Sequence, residues 1–361
     1  MAPNDATVNT AVSVAPAAVA QLLTLRALLA LPPVVQRRLV GEPVVRDGQR
    51  LGVENQLLQR LTELADQPDV STLPVDEARA RFAVTSAAGG GRQKIGAVHE
   101  LTVADLPARL YRPRSVEAGE TSPLLVFFHG GGFMHGGVAT YDPACRHLAE
   151  RSGVRVLSVE YRLAPEHVFP AAHDDALAAY AWALEHAAEL GADPARIGVA
   201  GDSAGGTLAA ATALEAARRG WTCALQLLVY PAVDSVGRGS RRSSALFGEG
   251  FFLTRDYIDL ADRSYLADPA QRADPRLSPV LLEADDLPDG LAPALVVTAG
   301  FDPLRDEGEA WARLVAEAGV EVQMVRYPEQ VHGFFNLVGV GREARAACAE
   351  IATRAGAALR R

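Results

Sequence analysis

Short, near-continuous apolar runs alternate with helix-length segments along most of this chain, and that alternation constrains the fold more than any other feature. Residues 123–128, 155–160, 196–200, 225–233, 295–299 and 320–327 read as strands. Residues 142–151, 171–190, 204–219, 254–266, 306–318 and 342–359 read as helices. Strands this apolar are buried on both faces, so a mostly parallel central sheet flanked by helices is expected. Right-handed crossovers follow. Two earlier runs, 95–102 and 106–111, are joined by a turn. A chain of 361 residues, 49% hydrophobic and 22% charged, has ample material for one large core.

The first ninety residues read differently. Leu57, Leu58, Leu61 and Leu64 fall on one stripe of a helix over 54–65. Residues 75–85 read as a second helix, ended by Gly89, Gly90 and Gly91. Residues 1–90 are therefore set apart as an N-terminal helical cap segment. The alternation breaks again at about 235–291, where Phe247, Phe251, Phe252 and a helical pattern mark an insertion between two strands. The two parts together are expected to form a lid over the sheet edge. Leu57, Leu61, Phe247, Phe251 and Phe252 are the candidates to roof a pocket. The apolar stretch 11–35 lacks a preceding basic region and is broken by Pro16, Gln21, Arg26, Pro32 and Pro33. It reads as a packed helix, not as a signal peptide or membrane span.

Charge narrows the partners. Lys and Arg total 35 against 44 Asp and Glu, a net charge of −9 with no basic run. That argues against nucleic acid or an anionic membrane as partner. Cys145, Cys223 and Cys348 are too few for a disulfide framework and sit at no metal spacing. They read as reduced thiols of a cytoplasmic protein. No metal and no cofactor is expected.

The strongest local signal is Gly201-Asp202-Ser203-Ala204-Gly205, placed between an expected strand and an expected helix. Glycines two before and two after the serine permit the tight turn that lifts a nucleophilic hydroxyl off a sheet. The following helix aims its N-terminus at developing negative charge. His129-Gly130-Gly131-Gly132-Phe133 follows another strand. Its glycines free backbone N–H groups to approach a ligand, as an oxyanion hole requires. A phosphate cradle is the rival, but no P-loop Lys follows and no GxGxxG is present. His129 reads as a brace for that loop.

A serine nucleophile needs a base and an orienting acid. His332 follows the strand over 320–327 and so reaches the carboxyl edge of the sheet, where the Ser203 turn also lies. Asp302 and Asp234 compete as the acid, since each follows a strand. Both keep the order serine, acid, histidine. Asp302 is preferred because its strand is nearest that of His332 in sequence.

Taken together, His129 to Phe133, Glu160-Tyr161-Arg162-Leu163-Ala164-Pro165-Glu166, Phe169 to Ala172, Gly201 to Gly206, Asp302 to Gly308 and His332-Gly333-Phe334 resemble the signatures of the bacterial hormone-sensitive-lipase family of α/β-hydrolases, in its order. The resemblance covers roughly residues 90 to 361. It implies an α/β-hydrolase catalytic domain over 91–361 and hydrolysis of short- to medium-chain carboxylic esters, without cofactor. Carried over residue by residue, Ser203 is the nucleophile, Asp302 the acid and His332 the base. The N–H groups of Gly131, Gly132 and Ala204 form the oxyanion hole. Tyr161, Arg162 and Glu166 are implied braces. The stretch Tyr230 to Asp234 also resembles a family motif, in which the Asp is structural. Asp202 places the chain with the Gly-Asp-Ser-Ala-Gly subgroup. A deacetylase of a natural product or sugar is the alternative enzyme. A non-catalytic receptor on the same fold, the rival from another class, need not keep a base, whereas His332 is present. By analogy with some family members, the last strand and helix pair two subunits in a homodimer. The expected partner is a small-molecule ester.

Overall fold

The computed structural model describes residues 24–65 and 68–361. The part of the apolar N-terminal stretch before residue 24 lies outside the described residues. Residues 24–30 are helical, and α1 (Pro33–Val40), α2 (Val53–Ala65) and α3 (Val75–Gly90) follow before the sheet. The sheet strands are β1 (Ala97–Val103), β2 (Leu106–Arg112), β3 (Ser122–Phe128), β4 (Arg155–Val159), β5 (Ala192–Asp202), β6 (Gln226–Val229), β7 (Ala294–Phe301) and β8 (Val322–Val331). They lie in the order β8-β7-β6-β5-β3-β4-β2-β1. Only β2 runs against its neighbours; every other pairing is parallel.

Alternation along β3 explains why the inner strands are so apolar. Leu124, Val126 and Phe128 enter one core and Leu125 and Phe127 the other, all with no exposed surface. Successive side chains of a strand face opposite ways, so a sheet covered on both sides leaves no polar face. The first core is closed by α5 (Ala171–Glu185), α6 (Ala204–Arg218) and α9 (Arg305–Glu317), through Ala172, Ala176, Leu208 and Trp311. The second is closed by α4 (Val138–Ser152) and α10 (Glu343–Ala358), through Tyr141, Leu148, Ala347 and Ile351.

The N-terminal segment is helical as expected, but it packs elsewhere. Leu57 is buried with Leu29, Val40 and Val340, and Leu61 leans on the same cluster, whereas Leu64 is 74% exposed. The inner face of α2 is largely polar. Asn55 donates to the Glu329 carbonyl at 2.9 Å, and the Glu54 carboxylate accepts from the Arg342 and Glu343 N–H groups at 2.6 and 2.9 Å. A carboxylate at the start of α10 satisfies free amides and opposes the positive end of the helix dipole. The helix α3 runs through Gly89 and Gly90 instead of stopping before them. Any Cβ at Gly90 would stand 2.5 Å from the Pro143 side chain, so close packing on α4 holds the helix past its poorest formers.

The stretch between β6 and β7 carries α7 (Arg242–Phe247) and α8 (Arg255–Tyr265). Phe247 and Phe251 are buried with Leu51, Phe301 and Val331, and Phe252 is 45% exposed. Among the described residues, no helix is long and apolar enough to cross a membrane.

Candidate active site

The parallel strands β3, β5, β7 and β8 all end at one edge, and each delivers one site segment there. Ser203 follows β5 with φ 55° and ψ −122°, an arrangement unusual for a residue with a side chain. The flanking glycines make it possible. A Cβ at Gly201 would lie 2.1 Å from the Gly205 carbonyl oxygen, and one at Gly205 would lie 2.0 Å from that of Phe128. The Ser203 N–H donates to the Val229 carbonyl at 2.9 Å, which fixes the turn to β6.

His332 follows β8. Its Nε2 lies 2.9 Å from Ser203 Oγ, and its Nδ1 lies 2.8 Å from Asp302 Oδ2. Asp302, after β7, has no exposed surface, and its Oδ1 accepts from the Leu304 N–H at 2.8 Å. The Tyr230 ring packs beside the imidazole, 4.5 Å between centroids. The structure thus brings Ser203, His332 and Asp302 into one hydrogen-bonded line. Asp234 is engaged elsewhere. It accepts from the Gly237 N–H at 2.6 Å and the Arg241 Nε at 2.7 Å.

The loop after β3 presents Gly131 and Gly132 opposite the start of α6. The N–H groups of Gly131, Gly132 and Ala204 donate to no acceptor among the described residues. Gly131 has φ 120°, and a Cβ there would stand 2.1 Å from the His135 carbonyl oxygen. The loop is held from several sides. The Gly130 N–H donates to Asp202 Oδ1 at 2.8 Å, and Tyr141 and Tyr230 donate to the other Asp202 oxygen at 3.1 and 3.2 Å. Tyr161 donates to the His129 carbonyl at 2.6 Å and stacks on its ring. The guanidinium of Arg79, on α3, donates to the carbonyls of Met134 and Ala164 at 2.8 Å each and pairs with Glu166. The His135 Nδ1 lies 2.8 Å from the Tyr257 hydroxyl of α8. Arg162, the third expected brace, pairs with Asp175 on α5.

A cavity of about 50 Å³ opens beside Ser203. Tyr257, Ile258, Ala261 and Tyr265 of α8 form one wall, with Phe133, Leu253 and Leu277. None of Leu57, Leu61, Phe247, Phe251 and Phe252 lines it. The expected roof therefore comes from α8, because the five named residues are consumed by packing against α1, β7 and β8 or face outward. The roles of Arg79, His135 and Tyr257 also escaped the sequence, where nothing marks a long-range tether. Two larger clefts, about 400 and 330 Å³, lie away from Ser203. Among the described residues no group of His, Cys, Asp and Glu could hold a metal ion.

Burial dominates the electrostatics around the loop. It pushes His129 and His135 down to about 4 each, with the Arg79 charge adding to the effect on His135. It pushes His147 to about 4 and His173 to about 3. Asp202 goes the other way, up to about 6, because burial outweighs its three donors. An unfolded imidazole titrates near 6.5. Between about pH 6.5 and 4 the unfolded chain binds protons at these four histidines and the folded chain does not. Stability is therefore lost as pH falls through that window. Asp202 opposes this, since its folded form keeps a proton that the unfolded form has shed. Glu343, raised to about 7 by burial and by the Glu54 carboxylate beside it, opposes the loss as well, as do Glu160 and Glu307, both raised by burial. The four imidazole shifts together are the larger contribution over this window, so the thermal midpoint is expected to drop between pH 7 and pH 4.5. A midpoint that holds or rises would contradict this.

The chain belongs to the α/β-hydrolase-fold family, whose sequence profile matches residues 125–336, in its hormone-sensitive-lipase-like branch. Among its relatives, the carboxylic ester hydrolase LipN of Mycobacterium tuberculosis is 43% identical, the match covering 83% of this chain and 81% of that one. Ethyl acetate hydrolase of Pseudomonas putida is 38% identical, over 75% of this chain and 86% of its own. Among solved structures, an ester hydrolase from the metagenome of Lake Arreo superposes with a TM-score of 0.80 at 38% identity, covering 85% of this chain and 98% of that one. A hyperthermophilic esterase of the archaeon Pyrobaculum calidifontis gives 0.76 at 39%, covering 83% and 97%.

Proposed function

We propose that this chain is a serine carboxylic ester hydrolase acting on short- to medium-chain esters. The observation that carries the reading is the line from Asp302 through His332 to Ser203, at 2.8 and 2.9 Å. His332 takes the Ser203 proton as Oγ attacks the ester carbonyl. Asp302 holds the imidazole in the tautomer whose Nε2 is free to accept, and stabilises the imidazolium. The N–H groups of Gly131, Gly132 and Ala204 stabilise the tetrahedral oxygen; one such donor is typically worth about 3–4 kcal/mol of barrier. His332 returns the proton to the departing alcohol. Water, deprotonated by His332 in turn, then cleaves the acyl-enzyme. The names of the relatives, ester hydrolases and esterases, support the same substrate class.

In this reading 91–361 is the catalytic domain, capped by the N-terminal segment and the insertion at 235–291. The enzyme is cytoplasmic, consistent with free cysteines at 145, 223 and 348. It pairs as a homodimer through β8, an edge strand of the sheet, and α10. A fluorophosphonate probe tests the central claim. It should label the protein once, and peptide mapping should place the label on Ser203. A label elsewhere, or none on turning-over protein, would sink the assignment.

A further inference from the structure

The cavity beside Ser203 has a polar end that acyl transfer does not use. Arg238, in the insertion, is only 9% exposed. Its Nε and Nη2 donate to Glu307 at 2.9 and 3.2 Å. Its Nη1 makes no hydrogen bond among the described residues and meets only Asp262 Oδ1, 3.9 Å away. Asp262, on α8, gives its other oxygen to Arg272 Nε at 3.1 Å. Its Oδ1 has no hydrogen bond either. Both side chains line the cavity that holds Ser203. A free donor and a free acceptor therefore face each other across a gap too wide for a direct bond, yet one oxygen atom between them could reach both.

We propose that Arg238 and Asp262 form a subsite that reads a hydroxyl group on the acyl chain, so that esters of short hydroxy acids are the preferred substrates. The proposal rests on the esterase reading above. A hydroxyl accepts from Arg238 and donates to Asp262 through one atom. A carboxylate would satisfy the guanidinium but meet the Asp262 carboxylate. A methylene seated between them would cut the Arg238 N–H and the Asp262 oxygen off from solvent without giving either a partner, the arrangement that polar sites penalise most. Charge does not favour an anion. Arg238, Arg241 and Arg272 balance Asp234, Asp262 and Glu307 in the surrounding ion pairs. Size fits as well: about 50 Å³ gives room for about three or four water-sized groups, a short acyl chain.

The test compares p-nitrophenyl butyrate with the 2- and 3-hydroxybutyrate esters, each kcat/KM normalised to that ester's rate of alkaline hydrolysis. The p-nitrophenyl leaving group is the same in all three esters, so a difference in rate reads the acyl chain alone. At least one hydroxylated ester should exceed butyrate by about ten-fold or more, as sites built to bond a substrate hydroxyl discriminate. In Asp262→Ala that ratio should collapse toward one. A wild-type enzyme that hydrolyses butyrate at least as well as both hydroxy esters overturns the subsite alone. So does an unchanged ratio in Asp262→Ala. A protein inert toward all three overturns the esterase reading and the subsite with it.

Discussion

Ser203→Ala is expected to lower kcat by about a million-fold, the loss seen when a nucleophile acting as one unit with its base is removed. The substitution deletes one oxygen from a turn whose backbone is fixed independently, by the Ser203 N–H bond to Val229 and the close glycine contacts. The fold should survive, so the thermal midpoint should stay near that of the parent. What activity remains would come from binding and from the free N–H groups of Gly131, Gly132 and Ala204. A residual rate within about a hundred-fold of the parent would mean that another residue attacks the ester, since that loss is far below the expected scale.

The acid gives the second large effect and separates two candidates. Asp302→Asn should cut kcat by about ten thousand-fold. An amide at that position offers its N–H₂ to His332 Nδ1 and favours the tautomer in which Nε2 carries the proton and cannot accept from Ser203. Asp234→Asn should do far less to turnover. Asp234 bonds Gly237 and Arg241 and makes no hydrogen bond to the imidazole. Its cost should instead fall on stability, by loss of a largely buried ion pair. Measuring kcat and the thermal midpoint for both variants decides the matter. A larger kcat loss in Asp234→Asn would reverse the assignment of the acid.

Much of this molecule is written locally in its sequence. The inner strands β3, β4, β6 and β7 stand where apolar runs fall between helical segments, because a sheet covered on both faces needs no polar residue there, whereas the edge strands β1 and β8 carry exposed polar residues such as Glu100 and Gln323. The Ser203 turn is legible because few other contexts put glycines at positions 201 and 205 between a strand and a helix. Asp302 and His332 were legible as loop residues following parallel strands, which topology gathers at one edge. The cavity wall was not. Phe247 and Tyr257 are both aromatic residues of one insertion, yet the first packs on Phe301 and the second stands over Gly132. Which neighbour an apolar side chain finds is decided by the assembled fold. The same holds for Arg79 and Asp202. Their charges are visible in the sequence, but the carbonyls and amides they hold are many residues away.

Those tethers make competence a property of the assembled fold. The bond from Ser203 to His332 spans 129 residues, that from His135 to Tyr257 spans 122, and that from Gly130 to Asp202 spans 72. Each closes a long loop, and loop closure costs entropy before any contact repays it. The sheet carries the same cost, since Phe128 pairs with Gly201 and Gln226 with Ala294. The line from Asp302 through His332 to Ser203 exists only once β3, β5, β7 and β8 stand side by side, so a chain that has not assembled its sheet has no activated serine.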